Sequence, residues 1–175
     1  MPNETVQSTQ PPRRRTIWIG RKPGYTAVRI AVIVVVVVLL RMFVFFPIRV
    51  DGPSMLPTYK ENSVNVVNAL AYLQHEPKRG DVVAIRFSGR SLMLMKRVVA
   101  LPGETVEFVQ GRLLINGKEL AEPYLKYACD WEFRPSHWQL DEDEYYVVGD
   151  NRSMPAEDHK QGGAKRDRIV GRVML

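Results

Sequence analysis

Residues 92–103 read Leu-Met-Leu-Met-Lys-Arg-Val-Val-Ala-Leu-Pro-Gly. A short apolar run closed by Leu-Pro-Gly has the length of a β-strand ending in a turn. Strand alternation puts Leu92, Leu94, Lys96 and Val98 on one face and Met93, Met95, Arg97 and Val99 on the other. One of the two adjacent cations can therefore be buried while its neighbour faces outward. The same pattern also suits an edge strand whose charges discourage pairing with other chains.

Similar runs recur on both sides of this strand. They are Ile48–Val50, Val64–Val67, Val82–Phe87, Thr105–Val109, Arg112–Ile115, Tyr145–Val148 and Ile169–Leu175. Turn signals separate them, among them Lys78-Arg-Gly-Asp81, Gln110-Gly111 and Asn116-Gly117. Thr105–Gly117 reads as a hairpin, Ala69–His75 as a short helix and Trp131–Glu144 as irregular. Residues 47–175 thus form a mostly β domain. Arg79-Gly80-Asp81 reads as a turn into a strand rather than as an adhesion tripeptide.

Upstream the pattern changes. Ile30–Leu40 is unbroken by any polar residue, and Arg41 and Met42-Phe-Val-Phe-Phe46 follow. The run far exceeds a strand, and extended back to Thr26 it reaches bilayer thickness as a helix, at about 1.5 Å per residue. Arg29 can snorkel to the headgroups, and Arg41 must reach the far interface or a protein contact. Pro47 is expected to end the helix. No pair of small residues follows as a signal-peptide cleavage site would require, so the span, residues 26–46, reads as an uncleaved transmembrane anchor.

The chain carries a net charge of +6, which raises the question of nucleic acid. Residues 1–29 hold six basic residues against Glu4 alone, a net +5, so the rest carries only about +1. A nucleic-acid binder would place that excess on its folded domain. Residues 1–25 read instead as a basic disordered tail. Positive flanks stay cytoplasmic, which puts residues 47–175 on the outer face. Cys129 is the one cysteine, so no intrachain disulfide can form, and His75, His137 and His159 lie too far apart in sequence to suggest a metal site.

Three segments bear chemistry. In Asp51-Gly-Pro-Ser-Met-Leu-Pro-Thr58, Gly52 and Pro53 restrict the backbone around Ser54 and can expose a nucleophile, although Gly-Pro-Ser is also a common turn. A serine hydroxyl needs a base. No histidine here has a partner motif, and a lysine can serve if burial keeps it neutral, which points to Lys96. The third segment, Val147-Val-Gly-Asp-Asn-Arg-Ser153, carries a Gly-Asp-Asn turn after a strand.

Together these segments resemble bacterial type I signal peptidases, which carry Ser-x-Met-x-Pro-Thr, Lys-Arg-Val-Val-x-Leu-Pro-Gly and Gly-Asp-Asn-Arg motifs in this order after a membrane segment. Here they are Ser54–Thr58, Lys96–Gly103 and Gly149–Arg152, with Arg79-Gly-Asp-Val-Val83 resembling the family's intervening strand. The resemblance covers about residues 26–175. It implies an antiparallel β catalytic domain of signal-peptidase type with a single N-terminal transmembrane helix. It implies a membrane-bound serine endopeptidase in which Ser54 attacks the scissile carbonyl and Lys96 is the general base. No metal or cofactor is needed. Partners would be secretory preproteins, cut beside small residues in an A-x-A-like pattern, and the lipid bilayer, with no nucleic acid. The site would lie outside the bacterial cell (inner) membrane, with the substrate extended between Ile48–Gly52 and Leu92–Met95.

Two positions depart from the family. Gly52 stands where some members have a serine whose hydroxyl joins the oxyanion hole, which leaves the backbone N–H of Ser54, with Gly52, as donors; Pro53 has no N–H. After Arg152 the usual Ser-x-Asp-Ser-Arg-like stretch is replaced by Ser153-Met-Pro-Ala-Glu-Asp-His-Lys160. Asp158 is the expected aspartate, Glu157 being the alternative, with His159 or Lys160 replacing the arginine, and Ser153 is the one candidate for the serine beside the lysine. Asp150, Asn151, Arg152 and Asp158 are the expected supporting residues. Other readings are a self-cleaving Ser/Lys repressor-type peptidase, disfavoured by the anchor in place of a DNA-binding domain, a dedicated peptidase for pilin or conjugation precursors, and an inactive membrane-tethered β-domain adaptor.

Overall fold

A computed structural model describes residues 23–88, 92–127, 129, 131 and 137–174. The chain divides into two units, Met1–Leu39 and Leu40–Leu175. Most of the tail expected over residues 1–25 and residues 132–136 of the irregular segment lie outside the described residues.

Helix α1 spans Pro23–Phe43. Its stretch Gly24–Met42, 19 residues, is long and apolar enough to cross a membrane and is nowhere buried against protein. In water a valine run would favour strands. In a hydrocarbon layer every backbone polar group must be satisfied within the segment, and a helix does this. The helix ends at Phe43, not at Pro47 as the sequence suggested. Phe45–Arg49 form strand β1, and Pro47 lies inside it, paired with Val66. An edge strand tolerates proline because one side of its backbone needs no donor.

The second unit is built from two antiparallel sheets. The larger contains β1, β2 (Val64–Asn68), β3 (Val82–Ser88), β4 (Leu92–Ala100), β9 (Glu144–Val148), β10 (Gly162–Lys165) and β11 (Ile169–Met174), in the order β1-β2-β11-β3-β4-β9-β10. The smaller contains β5 (Thr105–Val109), β6 (Arg112–Ile115), β7 (Lys118–Glu119) and β8 (Trp138–Gln139), in the order β7-β6-β5-β8. The expected hairpin is β5–β6. Asn116 and Gly117 both have positive φ, the geometry Asn-Gly supplies most easily, and they turn the chain into β7. Ala69–His75, expected as a helix, forms turns and bends instead. Asn68 Oδ1 accepts the Leu70 N–H at 2.9 Å, a local bond that competes with helix formation.

The period of two decides the packing. In β3, Val82 and Ala84 join a cluster with Val50, Met55, Tyr59 and Met95, while Val83 and Ile85 join Val98, Tyr145 and Val147 on the opposite face. A third cluster lies between the sheets, where Val99 and Val148 of the larger meet Phe108 and Leu113 of the smaller around Trp131. Each fully buried valine, leucine, methionine or phenylalanine of these clusters contributes about 1.5–3 kcal/mol of transfer free energy.

One topological detail positions the site. β4 pairs with β3 along Leu92–Arg97, but with β9 only from Arg97 onward. The outer edge of Leu92–Lys96 therefore has no strand beside it among the described residues. β1, the edge of the sheet, comes round to face it across a narrow groove bounded by Ile48, Val50, Met93 and Met95.

Candidate active site

At the end of that groove the chain turns sharply. Gly52 has φ 90°, a conformation that side chains resist, and Pro53–Met55 form a single 3-10 turn. Met55 is buried in the apolar cluster below and pins the turn, leaving Ser54 half-exposed at its centre. From β4, Lys96 reaches the same point, its Nζ 2.7 Å from Ser54 Oγ. Lys96 is only 3% exposed. Its pKa is lowered from 10.5 to about 8, chiefly by burial and then by the nearby Lys160 charge, with Asp150 opposing the shift.

The adjacent residue faces the other way, as the alternation required. Arg97 donates through two nitrogens to Asp150, at 2.8 and 2.6 Å, and its guanidinium lies 4.0 Å over the Tyr124 ring. It is thus committed to an ion pair rather than turned to solvent. Asp150 is buried and also accepts the Thr58 hydroxyl.

The Gly149–Arg152 turn supports the serine from behind. The Asn151 backbone N–H donates to Ser54 O at 3.0 Å, and its side-chain Nδ2 to Pro53 O at 3.1 Å. Arg152 is fully buried, ion-paired with Glu122 and bonded to Gly149 O at 2.9 Å. His159 is also fully buried. Its pKa is lowered to about 4 by burial and then by the Lys96 charge. Of the other expected residues, Asp158 is exposed on the rim of the cleft, and Ser153 Oγ bonds Asn151 Oδ1 at 2.6 Å rather than Lys96. Glu122 and Tyr124 carried no signal in the sequence. Among the described residues, no cluster of three or more His, Cys, Asp or Glu side chains could hold a metal ion.

Ser54 and Lys96 lie where two cavities meet. One, about 30 Å³, lies in the β1–β4 groove. The other, about 220 Å³, opens on the far side among Met154, Asp158, His159 and Lys160.

Burying a lysine has a cost that can be measured. Its folded pKa lies below the unfolded one, so the unfolded chain binds more protons between pH 8 and 10.5. Wild-type stability should therefore rise with pH across that window, and the full penalty of about 3 kcal/mol should apply below it. Lys96→Met is expected to be more stable than wild type at pH 7, with an advantage that shrinks towards pH 10.5. Thermal unfolding of both proteins from pH 7 to 10.5 checks this. A constant difference, or a less stable variant at pH 7, contradicts it.

The model of the family described as signal peptidase, peptidase S26, matches residues 24–175. The chain belongs to this family, and its antiparallel β domain and N-terminal apolar helix are of the signal-peptidase type. Within the family it is similar to enzymes named signal peptidase I. That of Leptolyngbya laminosa is 35% identical over 144 residues, 78% of this chain and 70% of that protein. Signal peptidase I T of Bacillus subtilis (strain 168) is 35% identical over 153 residues, 81% of this chain and 78% of that protein. A crystal structure of a signal peptidase I from Enterococcus faecalis V583 superposes with a TM-score of 0.47 at 28% identity, over 57% of this chain and 97% of that one.

Proposed function

We propose that this protein is a membrane-anchored signal peptidase I that cleaves secretory preproteins with Ser54 as nucleophile and Lys96 as general base. The observation that carries this reading is the 2.7 Å contact between the Ser54 hydroxyl and a buried lysine whose proton is loosely held. Neutral Lys96 takes the Oγ proton as the oxygen attacks the scissile carbonyl. The backbone N–H groups of Ser54 and Gly52 are the candidate donors to the oxyanion. Lys96 then gives the proton to the leaving amine as the C–N bond breaks. A water, deprotonated by Lys96, then attacks the ester carbonyl, and Lys96 returns that proton to Ser54 Oγ as the acyl C–O bond breaks.

The substrate is an extended segment lying between β1 and β4, where it finds the unpaired edge of Leu92–Lys96. Alternate side chains of that segment face the enzyme. The groove cavity beside Ser54, about 30 Å³, is the smaller of the two that meet there and is bounded by Ile48, Val50, Met93 and Met95. This supports cleavage after small residues. The +5 charge of residues 1–29, ahead of the unbroken apolar run Ile30–Leu40, supports a single pass through the bacterial cell membrane, with the N-terminus cytoplasmic and the β domain outside.

The test uses the full-length protein in detergent with a preprotein, the cut site being identified by mass spectrometry. Wild type should cut once, after the signal peptide, and Ser54→Ala should not cut. A preprotein with Leu in place of Ala just before the cut should resist. Cleavage by Ser54→Ala, or unchanged processing of the Leu precursor, would overturn the corresponding part of the reading.

A further inference from the structure

The Ser-Lys pair leaves one buried titratable group beside it without a task. His159 lies in the short 3-10 segment Ala156–His159, fully buried, its ring edge-on to Trp131 with centroids 4.7 Å apart. Trp131 is itself tied by Nε1 to Met154 O at 2.8 Å, so the ring sits in a fixed wall. Nε2 lies 2.8 Å from Asn151 O, and Nδ1 lies 3.4 Å from Gly149 N. A carbonyl only accepts and a backbone N–H only donates. Both contacts are therefore met by one species, the neutral imidazole with its proton on Nε2. With both nitrogens committed to the backbone, His159 is not placed to act as a base.

The turn that this imidazole spans, Gly149 to Asn151, is the one that holds the nucleophile. Asn151 grips Ser54 O and Pro53 O, and a Cβ at Gly149 would lie 2.2 Å from Ser54 O and 2.5 Å from His159 Cε1. We propose that His159 is a positioning residue: its neutral imidazole closes the Gly149–Asn151 turn and so fixes the Ser54 backbone against Lys96. This rests on the Ser54/Lys96 reading above. Its surroundings keep it neutral. The cations Lys96 of β4 and Arg152 of the turn act on it, Asp150 of the same turn opposes them, and Asp158 and Lys160 flank it in sequence. A proton on Nδ1 would face the Gly149 N–H, donor against donor.

Three variants of the full-length protein and one spectroscopic measurement test this. His159→Leu keeps an apolar body against Trp131 and removes both hydrogen bonds. Its kcat should fall about 30-fold or more with KM within twofold, because the β1–β4 groove is untouched. His159→Gln keeps a donor and an acceptor and should recover part of that loss. Two-bond ¹⁵N–¹H correlations on wild type should show Nε2 protonated and Nδ1 bare throughout pH 5.5–9, a readout independent of whether any variant folds. Wild-type kcat in a folded His159→Leu protein, Gln no better than Leu, a proton on Nδ1, or titration near pH 6.5 would each overturn the proposal. Ser54→Ala is assayed alongside: cleavage there would remove the underlying reading instead, whatever His159 does.

Discussion

Lys96→Arg is expected to be as inactive as Lys96→Ala, with kcat for preprotein cleavage reduced by about 10³-fold or more in both. Arginine keeps the charge and much of the length, so a purely structural role for Lys96 would tolerate it. A general base must shed its proton, and a guanidinium does not do so in a protein. The double variant Ser54→Ala/Lys96→Ala should be little worse than either single one, since groups that act as a unit are not additive. In wild type, activity should fall about tenfold per pH unit on acidification below the lysine pKa of about 8, because only the neutral amine accepts the Ser54 proton. Near-normal turnover by Lys96→Arg, or a flat profile from pH 8 to 6, would sink the assignment. Arg97→Lys is the control on the same strand. It keeps the charge beside Asp150 but loses the two-pronged bond, so its cost should be far smaller.

Why the Ser54–Lys96 contact and the Asp150–Arg152 turn were legible while Glu122 and Tyr124 were not follows from the range of the interactions. Ser54 and Lys96 are 42 residues apart, and nothing local pairs them. What the sequence does display is a lysine in an apolar strand and a serine in a constrained turn. Alternation then predicts that Lys96 and Arg97 part ways, as they do. The Arg152–Glu122 pair spans 30 residues and joins a turn to a stretch with no periodicity, so Glu122 left no trace. His159 matters through its contacts with backbone atoms, which no side-chain pattern encodes. The same logic separates the strands found from those missed. β3, β4 and β9 carry continuous or alternating apolar residues. β10, Gly162-Gly-Ala-Lys165, offers only the Ala164 side chain to the core and shows no strand pattern. It is held as a strand by its pairing with β9, which a single-strand pattern cannot reveal. The end of the helix was misplaced for a related reason. Phe45, Phe46 and Pro47 are apolar enough to extend a span, but Phe45, Phe46 and Pro47 pair with Asn68, Val67 and Val66 of β2.

Gly149→Ala should abolish most activity without unfolding the protein. Gly149 is not among the residues with positive φ, so its backbone conformation is open to alanine and the variant tests contact alone. The added methyl would sit 2.2 Å from Ser54 O and 3.0 Å from Ser54 C, and 2.5 Å from His159 Cε1. The first two atoms are backbone. They are fixed from one side by the Asn151 N–H and from below by Met55, so they cannot swing away as the end of a long side chain would. Reaching ordinary van der Waals separation requires a shift of about 1 Å, which at a reacting centre can cost about 10²-fold in rate. The expected result is a kcat lowered about 100-fold or more, with KM nearly unchanged because the β1–β4 groove is not involved. Adding His159→Ala removes the ring contact but leaves the carbonyl contact, so it should not restore activity. Steady-state kinetics with a preprotein, alongside thermal unfolding to verify folding, decide the matter. A folded Gly149→Ala protein with wild-type kcat would mean that the Ser54 turn can move by an ångström without penalty, and that the close backing of Ser54 by the Gly149–Asn151 turn does not govern activity.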